Sequence, residues 1–581
     1  MTTKSPSSST RDCDVIVLGS GIGGSLFATV LARKGLDVVL IEKGSHPRFA
    51  IGESTTPEST ALMGILAQRY DVPEIANLSN FASVRRHVSS ACGVKRNFTY
   101  AFHREGQPQR ADHFTQFPTW APPFGPDIHF FRQDTDSYVF GLAVRYGVTI
   151  LQQTGVDTVD VHDDGVTVVT AKGQTVRGKF IIDGTGRRGT VGKVLGLRLP
   201  PDGMRTDSRA LFTHMIGVLP YDRCAPDRRE HGMPSPFHQG TLHHIFEGGW
   251  LWVIPFDNHK ASTNPLCSVG LCLDRERWPR PEGVSPEEEF RQFVERFPSL
   301  RKQFEGATAV RGWVASDRMQ YRSKRCGGAR YFLMPSAAGF VDALFSSGLT
   351  FTAWAINVAG EQIVESVRHD DFRDDRFDHV NEWFDKCLDY YDRLVAHSYR
   401  SFSSFELWNA WHRVWTLGSL YGVSGQHEVF SRAAEDPSAY EGFERKPYRG
   451  IQAVDLDSYR QLFDDACAIM EEVQRGTLSE PAATQRMFAL LASCPLCPEP
   501  WKVTDAQRRY PATFTLVPMV RLLMWARRHG PQDVRDNYFR GGRALGWLGS
   551  MWNTQMADRL HSSSVMQLWR SSFFSWNTDW K

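Results

Sequence analysis

Long apolar runs are missing from this sequence. No stretch of about eighteen consecutive hydrophobic residues is present, so no segment is suited to cross a bilayer as a helix. An excess of one charge is missing too: 67 Lys and Arg stand against 65 Asp and Glu. That balance gives no electrostatic reason to expect nucleic acid or an acidic surface as partner. Cysteine is sparse, 10 in 581 residues with no dense framework, which implies reduced thiols and a cytoplasmic protein. Metal-ligand spacing is also lacking. Cys494 and Cys497 form a single CxxC without a second pair, and there is no HExxH, so no metal site is expected. The opening MTTKSPSSSTRD has no apolar segment, so residues 1–11 read as a disordered tail and not as a signal peptide.

What is present begins with an α/β signature. DVIVL (14–18) is an apolar, β-branched run suited to a buried parallel strand. GSGIGG follows, then SLFATVLARKG with helical periodicity, then DVVLIEKG (37–44) as a second buried strand. Gly19, Gly21 and Gly24 form GxGxxG, with Gly23 between them, where backbone must approach a pyrophosphate closely at a helix N-terminus. Glu42, followed by Lys43, ends the second strand at the distance expected of a ribose-binding carboxylate. A Gly-rich turn alone would be a weak signal, but the strand, the helix and the acid together predict dinucleotide binding. Residues 156–186 read as strands joined by turns, with a hairpin at Asp164–Gly165, and 329–364 as strand, loop and helix. From about 366 the chain is expected to be mainly helical. Its charge run at 368–379 reads as a solvated helix face.

Aromatics are plentiful, with 17 Trp and 37 Phe. In GGWLWVIPF (248–256), strand alternation puts Trp250, Trp252 and Ile254 on one face, and Pro255 closes the strand. Taken alone, such a pair is ordinarily core packing. Trp408, Trp411 and Trp415, and further on Trp547 and Trp552, suit either a core or the cover of a bulky aromatic ligand.

Several stretches resemble the flavin-dependent halogenases. RFAIGESTTP (48–57), with Glu53 and Ser54, is similar to the segment that follows the second strand in flavoprotein monooxygenases and halogenases. FIIDGTGRRG (180–189), with Asp183, looks like their strand end, and FLMPSAAGFVDALFSSG (332–348) like their second flavin-contacting loop. WLWVIP matches the WxWxIP motif of halogenases, which is thought to wall the flavin off from the organic substrate. Two indoles fixed by a proline suit a rigid apolar partition.

The resemblance implies an α/β FAD-binding, Rossmann-like scaffold of the aromatic hydroxylase type over 12–365. An inserted β-sheet substrate region occupies about 85–125 and 205–310, and a mainly helical region covers the substrate over 366–581. It implies FAD, used as FADH2 from a separate NAD(P)H flavin reductase, with O2 and chloride or bromide. The expected cofactor residues are Gly19, Gly21, Gly23, Gly24, Glu42, Lys43, Glu53, Ser54, Arg132, Asp183, Ser336 and Gly339. Lys95, the sole lysine between residues 44 and 171, is the expected catalytic lysine, activating hypohalous acid by hydrogen bonding or carrying the halogen as a haloamine. Ser346, Ser347 and Gly348 are the expected halide site, built from backbone amides at a helix start, a role compatible with an ordinary helix cap.

The sequence departs from the family pattern at three positions. Ser336 stands where an Asp usually holds the ribityl chain, which suits weakly held flavin, and Ala343 where Pro is usual. Phe345 replaces the Glu of tryptophan-type halogenases, pointing away from free tryptophan and toward an activated phenol of the polyketide kind, free or carrier-tethered. An aromatic hydroxylase on the same scaffold is the main alternative. A prenyl-chain reductase or a degenerate flavoprotein that only binds a partner is a lesser one.

Overall fold

Val15–Leu18 and Val38–Ile41 are almost fully buried, as strands covered on both faces must be. A computed structural model of the chain describes residues 10–119, 126–444, 451–511 and 516–538. Its first sheet runs in the order Gly327–Gly328, Tyr331–Leu333, Thr175–Asp183, Thr10–Leu18, Val38–Ile41 and Thr149–Leu151, parallel apart from its first pair. Val156–Val161 and Val166–Thr170 add antiparallel strands beside Thr175–Asp183, with the expected turn closed by His162 N–H donating to Gly165 O at 2.8 Å. The first strand begins at Thr10, so the expected tail overlaps it by two residues, while residues 1–9 lie outside the described residues.

A second sheet runs in the order Thr308–Ala309, Ser208–Ile216, Cys267–Asp274, Gly249–Pro255, Thr241–Phe246, Asn97–Phe102 and Phe114–Pro118. Val314–Ser316 pairs with Ser208–Ile216, carrying this sheet past the expected limit near 310. Side-chain alternation divides its two faces. Trp250, Trp252 and Ile254 join the main core, whereas Leu251 and Val253 pack with Phe290, Phe293 and Phe297 under the helix Pro286–Val294 and the chain beyond it. Gly93–Lys95 pairs with Asp127–His129 in a separate two-stranded ladder beside this sheet.

The chain after 366 is helical through the described residues. The helix Gly348–His369 crosses the expected boundary, and Asp378–Ser401, Phe405–Ala433, Asp457–Gln474 and Glu480–Ser493 follow. Phe405–Ala433 is buried on nearly every side, its Arg413, Gln426 and Glu428 included. Trp408, Trp411 and Trp415 are therefore core residues, while Trp547 and Trp552 lie outside the described residues.

Candidate active site

Four strands of the first sheet end at one cavity. Gly19 follows Leu18, Glu42 follows Ile41, Gly184 follows Asp183 and Met334 follows Leu333, and all four second residues line a space of about 1460 Å³. Ligands bind at the carboxyl ends of such strands because the loops and helix N-termini converge there. Gly21, Gly23, Gly24, Lys43, Glu53, Ser54, Arg132, Ser336 and Gly339 line the same space, as do Trp250, Trp252, Ile254, Ser346, Ser347 and Gly348. Residues expected of the nucleotide site, the partition and the halide site thus share one cavity.

The local chemistry fits a dinucleotide. A Cβ on Gly24 would lie 2.0 Å from Gly19 O, so only glycine permits that turn, whereas a Cβ on Gly21 would meet only Arg48 Nη2 at 3.8 Å. Bare backbone at Gly21 therefore faces the cavity, leaving room for a phosphate at the start of the helix Ile22–Arg33. Glu42 accepts from Ser20 N–H at 2.8 Å and Gly44 N–H at 2.7 Å, which fixes its carboxylate at the rim. Arg132 does not reach outward as a free cation. Its guanidinium donates to Asp136 at 2.6 and 3.0 Å and to Ile51 O at 2.6 Å, so it shapes the loop that carries Glu53 and Ser54. Glu53 meets His214 Nε2 at 2.9 Å, while its buried Oε2 has no protein partner beside the cavity.

Asp183 differs from expectation. It is absent from the cavity wall, and its carboxylate accepts from Thr185 N–H at 2.9 Å and Val191 N–H at 2.7 Å. It folds the Gly184–Arg188 turn, whose backbone faces the cavity, and so acts through that turn. Pro255 is also off the wall.

Both indoles of the WLWVIP strand are anchored. Trp250 Nε1 donates to Tyr399 Oη at 3.1 Å, and Trp252 Nε1 to Ser268 Oγ at 3.2 Å. The ring centroids stand 5.6 Å apart. Trp252 lies over Gly270, where any Cβ would fall 2.0 Å from the indole. Tyr399 Oη in turn donates to Asp342 Oδ2 at 3.0 Å, joining the partition to the loop that carries Ser346. Burial raises the Asp342 carboxyl to about 6, with hydrogen bonds from Ser208 and Tyr399 opposing it.

At the loop expected to hold the halide, Ser346 adopts φ +54°, a left-handed conformation uncommon for serine. Ser347 is the N-cap of Gly348–His369, and its side chain makes no capping hydrogen bond. The first amides of that helix have no intrahelical acceptor, the arrangement an anion uses.

Lys95 is completely buried, which excludes an edge lysine reaching to solvent, and it stands behind the cavity wall. Its Nζ donates to Ser54 Oγ at 2.6 Å and Thr55 O at 2.6 Å, and lies 3.3 Å from the centroid of the Phe98 ring. Burial lowers its pKa well below the ordinary lysine value, with Asp127, its register partner, opposing. The Asp127 carboxyl is raised to about 7 by burial against the pull of Lys95. Ser54 is the junction: Ser346 Oγ donates to Ser54 Oγ at 2.9 Å, so one hydroxyl joins the lysine to the loop that carries Ser346.

Residues 12–268 match the model of the FAD binding domain family. The chain is 40% identical to monodechloroaminopyrrolnitrin halogenase PrnC of Pseudomonas fluorescens, over 93% of this chain and 96% of that protein. It is 40% identical to the tetracycline 7-halogenase of Kitasatospora aureofaciens, over 90% of this chain and 95% of that protein. The chain belongs to the flavin-dependent halogenases. The halogenase also superposes on the crystal structure of halogenase PltM in complex with phloroglucinol and FAD, with TM-score 0.83 and 34% identity. That match covers 86% of this chain and 99% of the other. The cofactor of this halogenase is accordingly FAD, with halide and O2 as co-reactants, and the hydroxylase alternative gives way. Among its described residues no helix is long and apolar enough to cross a membrane.

Sequence reasoning did not single out His129, Thr241, Ser268, Asp342 or Tyr399. Thr241 and His243 in GTLHH had a period-two signal that a strand reading would have brought to the cavity face. Tyr399 gave none, because its partner Trp250 is 149 positions away.

Proposed function

We propose that this halogenase acts on an electron-rich aromatic of the phenolic, polyketide-like class, taken free and not carrier-tethered. Reduced flavin, supplied by a separate reductase in the cytoplasm, provides with O2 the oxidising power that turns halide into hypohalous acid. Ser347 and Gly348 present backbone amides to the halide, and Trp250 and Trp252 keep the organic substrate from the flavin side. Lys95 receives the hypohalous species and presents its halogen to the ring. Separation and positioning are the protein's contribution to rate.

The observation that carries this reading is the Ser54 bridge, which links the buried Lys95 Nζ to Ser346 at the proposed halide loop. Around Lys95 the buried packing is aromatic. Trp415 packs on Phe98, Phe117 and Phe345 at centroid distances of 5.4, 5.1 and 5.0 Å. Phe345 offers no base there, which suits a ring activated by its own oxygen. The names of two relatives support the class, one a tetracycline halogenase and one solved with phloroglucinol. A carrier-protein substrate is named only for a relative at 23% identity, 1H-pyrrole-2-carbonyl-[peptidyl-carrier protein] chlorinase of Pseudomonas fluorescens.

The test is mass spectrometry of a panel of phenolic polyketides, free tryptophan and a carrier-bound pyrrole, incubated with a flavin reductase, NADH, FAD, air, chloride and bromide. A halogen isotope pattern on the phenols supports the proposal. Halogenation confined to tryptophan or to the carrier-bound ring overturns the substrate class.

A further inference from the structure

Lys95, Ser54, Thr241 and His129, from four separate segments, form an unbroken hydrogen-bonded line at the cavity wall, with Ser346 branching from Ser54, and the tautomer of His129 sets the donor direction along it. Lys95 Nζ donates to Ser54 Oγ at 2.6 Å, and Ser346 Oγ donates to the same oxygen at 2.9 Å. Both lone pairs of Ser54 are then occupied, so its own hydrogen must point along the 2.7 Å contact to Thr241 Oγ1. At the far end, His129 Nδ1 lies 3.0 Å from Pro255 O. A carbonyl only accepts, so Nδ1 carries the hydrogen, and the neutral ring leaves Nε2 as an acceptor. Thr241 Oγ1, 3.0 Å from Nε2, is its donor. Gly93 makes the last link possible, because a Cβ there would fall 2.4 Å from Pro255 O.

The geometry points to a proton relay in which His129 is the acceptor for the Lys95 proton, through the hydroxyls of Ser54 and Thr241. This rests on Lys95 being the residue that handles hypohalous acid. The ammonium has no lone pair and cannot take up halogen. A proton passes from Lys95 to Ser54 while Ser54 hands its own to Thr241 and Thr241 hands its own to His129 Nε2. The result is a neutral Lys95 amine and a His129 imidazolium, with both hydroxyls restored. The amine nitrogen then attacks the halogen: the N–X bond forms, the O–X bond breaks, and the leaving oxygen takes the pair and an amine proton to become water. Transfer of the halogen to the ring returns the ring proton to the nitrogen, and His129 returns the first proton by the same path.

The surroundings of His129 hold it neutral at rest, so it carries the proton only transiently. Burial lowers its pKa to about 3, helped by the Lys95 charge and by His238 and His243, so it rests neutral. The Lys95 contribution vanishes when the proton moves. Asp127, in register with Lys95, faces the donor end. The Pro255 carbonyl gives the partition motif a second role, since it sets the His129 tautomer.

Thr241→Val keeps the side-chain shape and removes the relay hydroxyl. The test is the pH dependence of halogenation kcat for wild type, Thr241→Val, Thr241→Ser and His129→Gln, each as the FAD-loaded enzyme. The expected result is a loss of about 10²-fold or more in Thr241→Val near neutral pH, the range of a lost general-base contribution. Activity should recover in alkaline buffer, where Lys95 deprotonates without the relay, and Thr241→Ser should recover it at neutral pH. His129→Gln should behave as Thr241→Val does, and stands in for it if that variant does not fold. A wild-type rate in these variants, or a loss equal at every pH, overturns the relay. Lys95→Ala run alongside separates the two ideas. Product formation without Lys95 overturns the lysine's role itself, whereas an inactive Lys95→Ala with a wild-type Thr241→Val removes only the relay.

Discussion

Trp250 Nε1 and the Tyr399 hydroxyl meet at 3.1 Å, tying the partition strand to the helix Asp378–Ser401 of the C-terminal region. That region therefore holds one of the two indoles in place. Tyr399→Phe leaves the Trp250 N–H without its acceptor and removes a donor from Asp342. Denaturant unfolding should show a loss of about 1–3 kcal/mol, the cost of unmaking buried hydrogen bonds. An unchanged midpoint would mean that the indole finds another acceptor.

Asp342 should leave a pH signature on stability. Its folded carboxyl is raised to about 6 from an ordinary 3.8, so between those values the folded chain holds a proton that the unfolded chain has released. Its contribution is most favourable below that window and is lost as pH rises through it. Asp342→Asn should flatten this part of the stability–pH curve, and an identical slope in the variant would refute the assignment.

Gly270→Ala tests the partition directly. Its Cβ would sit 2.0 Å from the Trp252 ring, so the indole must leave its place. The expected outcome is uncoupling: less halogenated product per flavin oxidised, and more free hypohalous acid caught by an external halogen acceptor. Normal coupling would show that Trp252 does not separate the two compartments.

The glycines of GxGxxG should behave differently from one another. Gly21→Val projects into the cavity and should weaken FAD binding by about tenfold or more, roughly 1.4 kcal/mol, without unfolding the chain. Gly24→Ala drives a Cβ to 2.0 Å from Gly19 O and should lower the melting temperature. Titration of FAD fluorescence and thermal unfolding, read together, separate the two.

Lys95→Ala should reduce halogenation by about 10²–10⁴-fold, the range of a lost acid–base group. FAD binding should be retained, because Lys95 lies behind the cavity wall. Equal loss of flavin would instead make Lys95 a structural residue.

The local features were legible in the sequence because they depend on near neighbours. Strand–glycine–helix–acid spacing specified the nucleotide turn. The period of two placed Trp250, Trp252 and Ile254 on one face, as the two separate core clusters bear out. Asp183 was legible as a strand end but not in its role, since its carboxylate turned inward to the Val191 amide. Arg132 was legible as a residue of the cofactor site, but not its partners, since Asp136 and Ile51 O take up its guanidinium.

By itself, then, the sequence determined the scaffold, the motif faces and the residues able to do the chemistry, because periodicity and backbone sterics act over a few residues. Only the tertiary structure decided how those residues are joined. Ser54 meets Thr241 across 187 positions and Ser346 across 292, and Lys95 is buried by strands and aromatic rings far from it in sequence. Hydrogen bonds and desolvation depend on distances of a few ångströms between such segments, and those exist only once the two sheets and the C-terminal helices have packed together.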